Sequence, residues 1–369
     1  MKLREMRCLS FFASVKVGNQ IFVSNLRYNG LYSIDIDTYK VNFVGRFPNY
    51  SENFLGLHES VQYYDNKLFF FPHYGSAIDV YDLDKNQFYG CKLHSWEKNK
   101  RSDNFTCSIS AYRCGDFFYL LPRFPNMPMV KYSIQKNEVV EEISLNLSDS
   151  LRNKEAFNLT SGSVKIEDKI FYPLFDTNII MVYDITTGKE SYYEIEGVSQ
   201  INGAMGFDGS AFWINAGNDI VVCDSNFVVM KKMKGCVTEE ERLIVNFVFR
   251  DKWTYAVPAN LGALKRFDLS EDVCESIKIE ETQRIVVNDV IAKWRNLGTI
   301  QDLGNTFLLN PVNLDRAFGV NYQEGTIHPI NINAPIESVI SKHNFSRTAL
   351  NVEKYEDDLE EFLSFIADV

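Results

Sequence analysis

Histidines, cysteines and paired carboxylates are the side chains that could catalyse a reaction or hold a metal, and in this chain their spacing suits neither. The five histidines, His58, His73, His94, His328 and His343, include no pair at metal-ligand spacing. His58-Glu59 begins like the His-Glu-x-x-His helix of a metalloprotease, but no second histidine follows and a strand-like stretch does. Asp35/Asp37 and Asp82/Asp84 alternate as calcium ligands do, yet neither pair continues into the glycine-containing loop that calcium requires. Seven cysteines, an odd number with no C-x-x-C pair, fit free thiols in a reducing compartment better than a disulfide framework or a zinc site. No glycine-rich phosphate loop, nucleophile elbow or thiol motif occurs. These observations assign no catalytic residue, no metal and no cofactor. A site assembled from distant segments leaves no local motif, so the next question is which elements the sequence builds.

A short block recurs seven times: a tight turn, an aromatic strand, a loop, then a strand bearing an aspartate. It starts at Asn19-Gln20-Ile21-Phe22, Asn66-Lys67-Leu68-Phe69, Gly115-Asp116-Phe117-Phe118, Asp168-Lys169-Ile170-Phe171, Gly209-Ser210-Ala211-Phe212, Asp251-Lys252-Trp253-Thr254 and Gly304-Asn305-Thr306-Phe307. The six steps from Asn19 to Gly304 average about 48 residues, which is the period of propeller blades. A second anchor keeps its distance: Tyr81-Asp82 follows Asn66 by 15 residues, and Tyr183-Asp184 follows Asp168 by 15. Ile34-Asp35, Tyr132-Ser133, Cys223-Asp224, Phe267-Asp268 and Val320-Asn321 hold the same place in the other blocks. The expected fold is all-β, a seven-bladed β-propeller of four-stranded antiparallel blades. The blades are expected near 8–48, 54–93, 105–145, 160–196, 201–234, 243–279 and 297–333, each contiguous in sequence, followed by an extension over 334–369.

Blade two shows the pattern most plainly. Residues 60–64 read as an inner strand, 65–67 as a turn, 68–71 as a second strand, and 77–81 as a third strand alternating apolar with small or polar residues. A polar turn then leads to a fourth strand over 88–93. Pro72, Pro122, Pro173, Pro258 and Pro311 each close a second strand, where no ladder N–H is needed. The motif Asp and Asn residues are expected to hydrogen-bond turns and pin the blades. Lys169-Ile170-Phe171-Tyr172-Pro173 followed by Val182-Tyr183-Asp184-Ile185 resembles the Kelch-like family of β-propellers, although the paired glycines of true Kelch repeats are missing. The resemblance implies the fold and spans most of the chain. Members of that family include interaction modules, scaffolds and glycan-active enzymes, so it does not choose an activity.

Composition agrees with packed strands: 45% of residues are apolar and 14% aromatic, which argues against disorder. The opening residues 1–15 have the basic-then-apolar order of a secretion signal, but the apolar stretch is short and leads directly into the first inner strand. No run reaches the ~18 apolar residues of a membrane helix. Of the net charge of −11, more than half sits in residues 351–369, where seven acidic side chains face one lysine, Lys354. An acidic chain of this kind is not expected to bind a phosphate backbone, so no nucleic acid and no membrane partner are expected. Val352, Tyr355, Leu359, Phe362, Ile366 and Val369 recur at alternating steps of three and four, the spacing of a short C-terminal amphipathic α-helix. Its apolar stripe, Tyr355, Leu359, Phe362 and Ile366, either docks on the propeller, enters a partner or pairs with a second copy.

In a four-stranded blade the loop between strands two and three shares a rim with the connection to the next blade, and loops carry function more often than strands. That rim collects Arg27 and Tyr28, His73 and Tyr74, Arg123 and Phe124, Asp176, Asn215, Asn260 and Arg316. Rings offer stacking surface while Arg and Asn offer directional hydrogen bonds. His73-Tyr74 and Arg123-Phe124 each join a polar head to a ring. The expectation is a cytoplasmic, non-catalytic binding or scaffolding protein, monomeric or weakly dimeric through its tail, recognising a protein or peptide. The alternative is a lectin-like or glycan-active propeller with a carbohydrate ligand, which calls for a polar channel mouth holding two carboxylates or a histidine.

Overall fold

The computed structural model describes residues 8–50, 56–94, 108–124, 127–147, 162–238, 244–259, 263–271, 273–279, 297–312, 314, 316–335 and 338. These form seven separate four-stranded antiparallel sheets, each made of four consecutive strands. The second blade runs His58–Tyr64, Lys67–Pro72, Ala77–Asp82 and Gln87–Lys92, close to the pattern read from its residues. First strands lie at Ser14–Val17, His58–Tyr64, Ser108–Cys114, Val164–Ile166, Met205–Phe207, Ile244–Arg250 and Leu297–Asp302. They stand beside one another around the axis, and those of blades 1 and 7 meet to close the ring. All five prolines end a second strand, at Lys67–Pro72, Phe117–Pro122, Lys169–Pro173, Trp253–Pro258 and Thr306–Pro311. The N–H that proline lacks is not missed at a strand's last residue.

Burial lies between blades rather than within them. Seven apolar clusters map one to one onto the seven interfaces between neighbouring blades. Between blades 2 and 3, Phe69, Phe71, Phe118 and Tyr132 interlock with ring centres 5.0 to 6.5 Å apart. Each such ring adds about 1.5–3 kcal/mol by leaving water. Third strands are therefore covered on both sides, as in Ala77–Asp82, where every residue is buried, while the outer strand Gln87–Lys92 is largely wet.

The repeated aspartate is turn hardware. Asp82 Oδ1 accepts the N–H groups of Asp84 and Lys85 at 3.1 and 3.0 Å, and Asp184 accepts that of Thr187 at 2.9 Å. Asp35, Asp268 and Asn321 cap their own turns in the same way. The turn then needs one left-handed residue, supplied by Asn86, Asn137, Gly188 and Gly325 in four blades. In blade 2 the Tyr81 hydroxyl donates to Asn86 Oδ1 at 3.0 Å, joining the aromatic and polar halves of the motif.

No blade is shared between the two ends of the chain, so the seam between blades 7 and 1 is held by other means. Cys8 bridges Asn333, and the Leu9 N–H donates to Ile332 O at 3.0 Å. Arg27 donates to the carbonyls of Cys8 and Leu314, both at 3.1 Å. Asn310 and Gln301 both donate to Ser14 Oγ at 2.9 Å.

Candidate functional site at the rim of blades 1 to 3

The repeat shows where this rim departs from its own pattern. The residue after the strand-ending proline is Leu174 in blade 4, Ala259 in blade 6 and Val312 in blade 7, all buried and apolar. Blades 2 and 3 place His73 and Arg123 there. A second position behaves alike. The first strand bulges opposite that proline, so that in blade 6 Val245 falls between the pairs Ile244–Pro258 and Asn246–Val257. Val245 is fully buried, whereas the matching bulge of blade 2, between His58–Pro72 and Ser60–Phe71, carries Glu59. Bulges re-aim side chains, and this one brings a carboxylate to the channel mouth.

Glu59 Oε2 lies 2.5 Å from His73 Nδ1, and both side chains are buried. The His73 ring packs on Phe12 at 5.2 Å and on Tyr74 at 4.2 Å. Backbone bonds fix this loop: His73 N–H donates to Leu57 O at 2.8 Å and Tyr74 N–H to Gly56 O at 2.9 Å. Gly56 has φ +61°, and a Cβ on it would stand 2.7 Å from the Tyr74 ring, so the loop can dock only on glycine.

Arg123 completes the group from blade 3. Burial draws its guanidinium below the usual arginine range, opposed by the Glu59 carboxylate. Its Nε is buried with no hydrogen-bond partner. Phe124 flanks the cation at 5.8 Å, and Tyr172 of blade 4 anchors the preceding strand end by donating to Pro122 O at 3.0 Å. The result is a buried carboxylate and a buried imidazole beside a half-buried guanidinium, at positions where the fold needs only aliphatic groups. A fork of N–H donors in such a setting suits a carboxylate or phosphate acceptor.

The other rim residues have different surroundings. Arg27 is buried and clamps the seam described above. Tyr28 is buried edge-on against Tyr32 at 6.2 Å, and burial raises its phenol well above the ordinary value. Asn215 is fully buried: its Oδ1 accepts the Ile244 N–H at 3.0 Å and its Nδ2 donates to Gly217 O at 3.0 Å, tying blade 5 to blade 6. Asp176 is exposed at φ 58° in a turn of blade 4, its N–H donating to Ile201 O. Arg316 is half-buried in blade 7. Asn260 and the helix stripe Tyr355, Leu359, Phe362 and Ile366 lie outside the described residues. The structure thus brings together His73, Tyr74, Arg123 and Phe124, and adds Glu59 and Phe12. Aligning the blades at their bulges would have marked Glu59, because a charge stands there where blades 3 and 6 carry Ile109 and Val245.

Two further arrangements bear on chemistry. Ser24 Oγ lies 2.7 Å from His58 Nδ1, and His58 Nε2 lies 3.0 Å from Asp79 Oδ2, the connectivity of a serine hydrolase relay. All three are at most 1% exposed, under the rings of Phe47 and Phe70, so a substrate has no access to Ser24 and the relay joins blade 1 to blade 2. On the opposite rim, Trp213, Phe249, Lys252, Trp253 and Asp268 line a cleft of about 440 Å³ between blades 5 and 6. Its polar groups are engaged internally: Trp213 Nε1 donates to Asp208 at 2.8 Å and Lys252 pairs with Asp268 at 2.9 Å. Among the described residues no cluster of three His, Cys, Asp or Glu could hold a metal, and no helix is long and apolar enough to cross a membrane.

No protein-family model matches the sequence, and no curated protein matches it. The likeness to solved structures is one of shape. Sqt1 of Saccharomyces cerevisiae superposes with a TM-score of 0.59 at 10% identity, over 87% of this chain and 85% of that one. Hsv2 of Kluyveromyces lactis gives 0.54 at 11% identity, over 88% and 99%. The catalytically inactive virginiamycin B lyase of Staphylococcus aureus, solved with quinupristin, gives 0.55 at 11%, over 84% and 93%. At such identities the fold is shared and nothing more follows, since unrelated activities occupy one architecture.

Proposed function

We propose that this chain is a non-catalytic, Kelch-like binding propeller that holds a protein or peptide partner at the rim of blades 1 to 3, with Arg123 as the anchor for a partner carboxylate. One observation carries this reading: a half-buried guanidinium whose buried Nε has no hydrogen-bond partner, beside the buried Glu59–His73 pair, at a position filled by Leu174 and Ala259 in other blades. A cationic Nε–H buried without an acceptor destabilises the free protein, and a partner that supplies acceptors recovers that loss on binding. His73 supplies the histidine that the glycan-active alternative calls for, but it is buried and paired with Glu59, and glycan cleavage commonly needs two carboxylates flanking the bond, of which this cluster contributes one. The acidic segment bearing Tyr355, Leu359, Phe362 and Ile366 is proposed as a second contact, and the cytoplasm as the compartment. The neighbours' names span a lyase and proteins of other kinds, so they lend support to the scaffold and not to a choice of ligand.

Affinity capture with the intact chain, with Arg123→Leu and with residues 350–369 removed, run beside a glycan screen, tests the reading. A protein captured by the intact chain and lost with Arg123→Leu, while that variant melts no lower, supports it. Equal capture by both, or glycan binding that the substitution leaves unchanged, rejects this rim as the site.

A further inference from the structure

Two thiols unrelated to the rim lie at the interface between blades 5 and 6. Cys236 lies in the connection leaving blade 5, fixed by the Val237 N–H donating to Asn218 O at 3.0 Å, and packs on the cluster that holds Trp213, Phe247 and Phe267. Cys274 is on the outer strand of blade 6, Val273–Lys278, directly opposite Phe267. Directly paired residues share a face of the sheet, so Cys274 and Phe267 both turn toward blade 5. Two residues along each strand the same face carries Lys265 and Ser276, joined Nζ to Oγ at 3.0 Å. Cys236 and Cys274 thus both border Phe267 at this interface, Cys236 Sγ lying 3.9 Å from Lys234 O; neither is in a disulfide, and Cys274 is exposed.

We propose that Cys236 and Cys274 form a reversible disulfide stapling blade 5 to blade 6, with a peroxide as the oxidant. The neighbouring Cys236 thiol, helped by the Lys265 ammonium, brings the Cys274 thiol down to about 7, so a large share of it is thiolate at neutral pH. Cys236 is held well above its ordinary value by the neighbouring Cys274 thiol and by burial. Elsewhere burial raises Cys91, Cys114 and Cys223, which makes them poor nucleophiles. In the first step the Cys274 thiolate attacks a peroxide oxygen. The O–O bond breaks, an S–O bond forms, and the departing hydroxide takes a proton from solvent, leaving a sulfenic acid. Cys236 sulfur then attacks Cys274 sulfur: S–S forms, S–O breaks, and the hydroxide leaves as water with the Cys236 proton. Two thiols and one hydrogen peroxide become one disulfide and two waters, and thiol–disulfide exchange reverses the change.

The test treats the full chain with hydrogen peroxide at pH 7, alkylates the remaining thiols and maps the digest by mass spectrometry. The expected product is a Cys236–Cys274 peptide pair two hydrogens lighter than the separate peptides, restored by dithiothreitol. In Cys236→Ser, dimedone is expected to trap a sulfenic acid at Cys274, and before oxidation Cys274 is expected to alkylate roughly tenfold faster than Cys91 or Cys114. Both thiols remaining alkylatable after peroxide, a disulfide mapping to another pair, or Cys274 reacting no faster than Cys91 would overturn the proposal.

Discussion

Replacing Arg123 with leucine installs the residue that blade 4 carries at the same place, Leu174, which is 1% exposed. The substitution removes a buried Nε lacking a hydrogen bond, a defect worth about 1–3 kcal/mol. It also removes the attraction between Arg123 and Glu59, which returns part of that gain. The balance is a stabilisation of about 1–2 kcal/mol. For a chain of this length the unfolding entropy is about 0.8 kcal/mol/K, so Tm should rise by about 1–3 °C. Circular dichroism melts of wild type, Arg123→Leu, Glu59→Gln and the double variant, all at pH 7, measure the gain and the coupling between the two charges. Stability increased by loss of a charge is the signature of a site built for a ligand rather than for the fold. A fall in Tm of more than about 2 °C for Arg123→Leu would make Arg123 a counter-ion that Glu59 requires, and the argument for a binding site would fail.

Other perturbations separate fold from site. His58→Leu orphans Ser24 and Asp79 inside the interface of blades 1 and 2 and should lower stability by about 3–5 kcal/mol in urea unfolding; an effect below about 1 kcal/mol would deny the relay its structural role. Asn215→Ala strands the Ile244 N–H and the Gly217 carbonyl and should lose about 2–3 kcal/mol, with early amide exchange at Ile244 as the local readout. Asp35, Asp82, Asp184 and Asp268 titrate below the ordinary carboxylate value, Asp268 at about 2, because turn hydroxyls and N–H groups donate to them. Their folded values lie under the unfolded value near ~3.9, so the stability they add is complete above about pH 4 and is lost as pH falls toward 2. An acid titration followed by tryptophan fluorescence should show that slope, and Asp268→Asn should flatten its lowest part. A transition centred above pH 5 would assign acid unfolding to other groups.

What could be read from the chain was what is local in it. Turn aspartates, strand-ending prolines and the alternation of residues 77–81 act within one hairpin, so their spacing survives in sequence and predicts the blades. The rim pairs His73-Tyr74 and Arg123-Phe124 were visible because loop position follows from the repeat. Glu59 was not, since its importance comes from a bulge that shifts register by one residue and from proximity to loops 14 and 64 residues away. Arg27 and Asn215 look like ligand-binding groups by type, yet each holds a backbone group of another blade, Leu314 O for Arg27 and the Ile244 N–H for Asn215, and no local pattern reveals such partners. The thiol pair was hidden for the same reason: Cys236 and Cys274 belong to different repeats.

Closing the ring through Arg27 and Leu314, 287 residues apart, sets a timetable for synthesis. At about 5–20 residues per second, a ribosome needs roughly 15–60 s after releasing blade 1 before the clamp's second carbonyl exists. Through that interval Ile21, Val23, Tyr32 and Ile34, which end up against Leu308 and Ala317, have no cover from blade 7. The first blade to emerge is therefore the last to be sealed, and a nascent chain arrested before Leu314 presents an open apolar wall to whatever chaperone attends it.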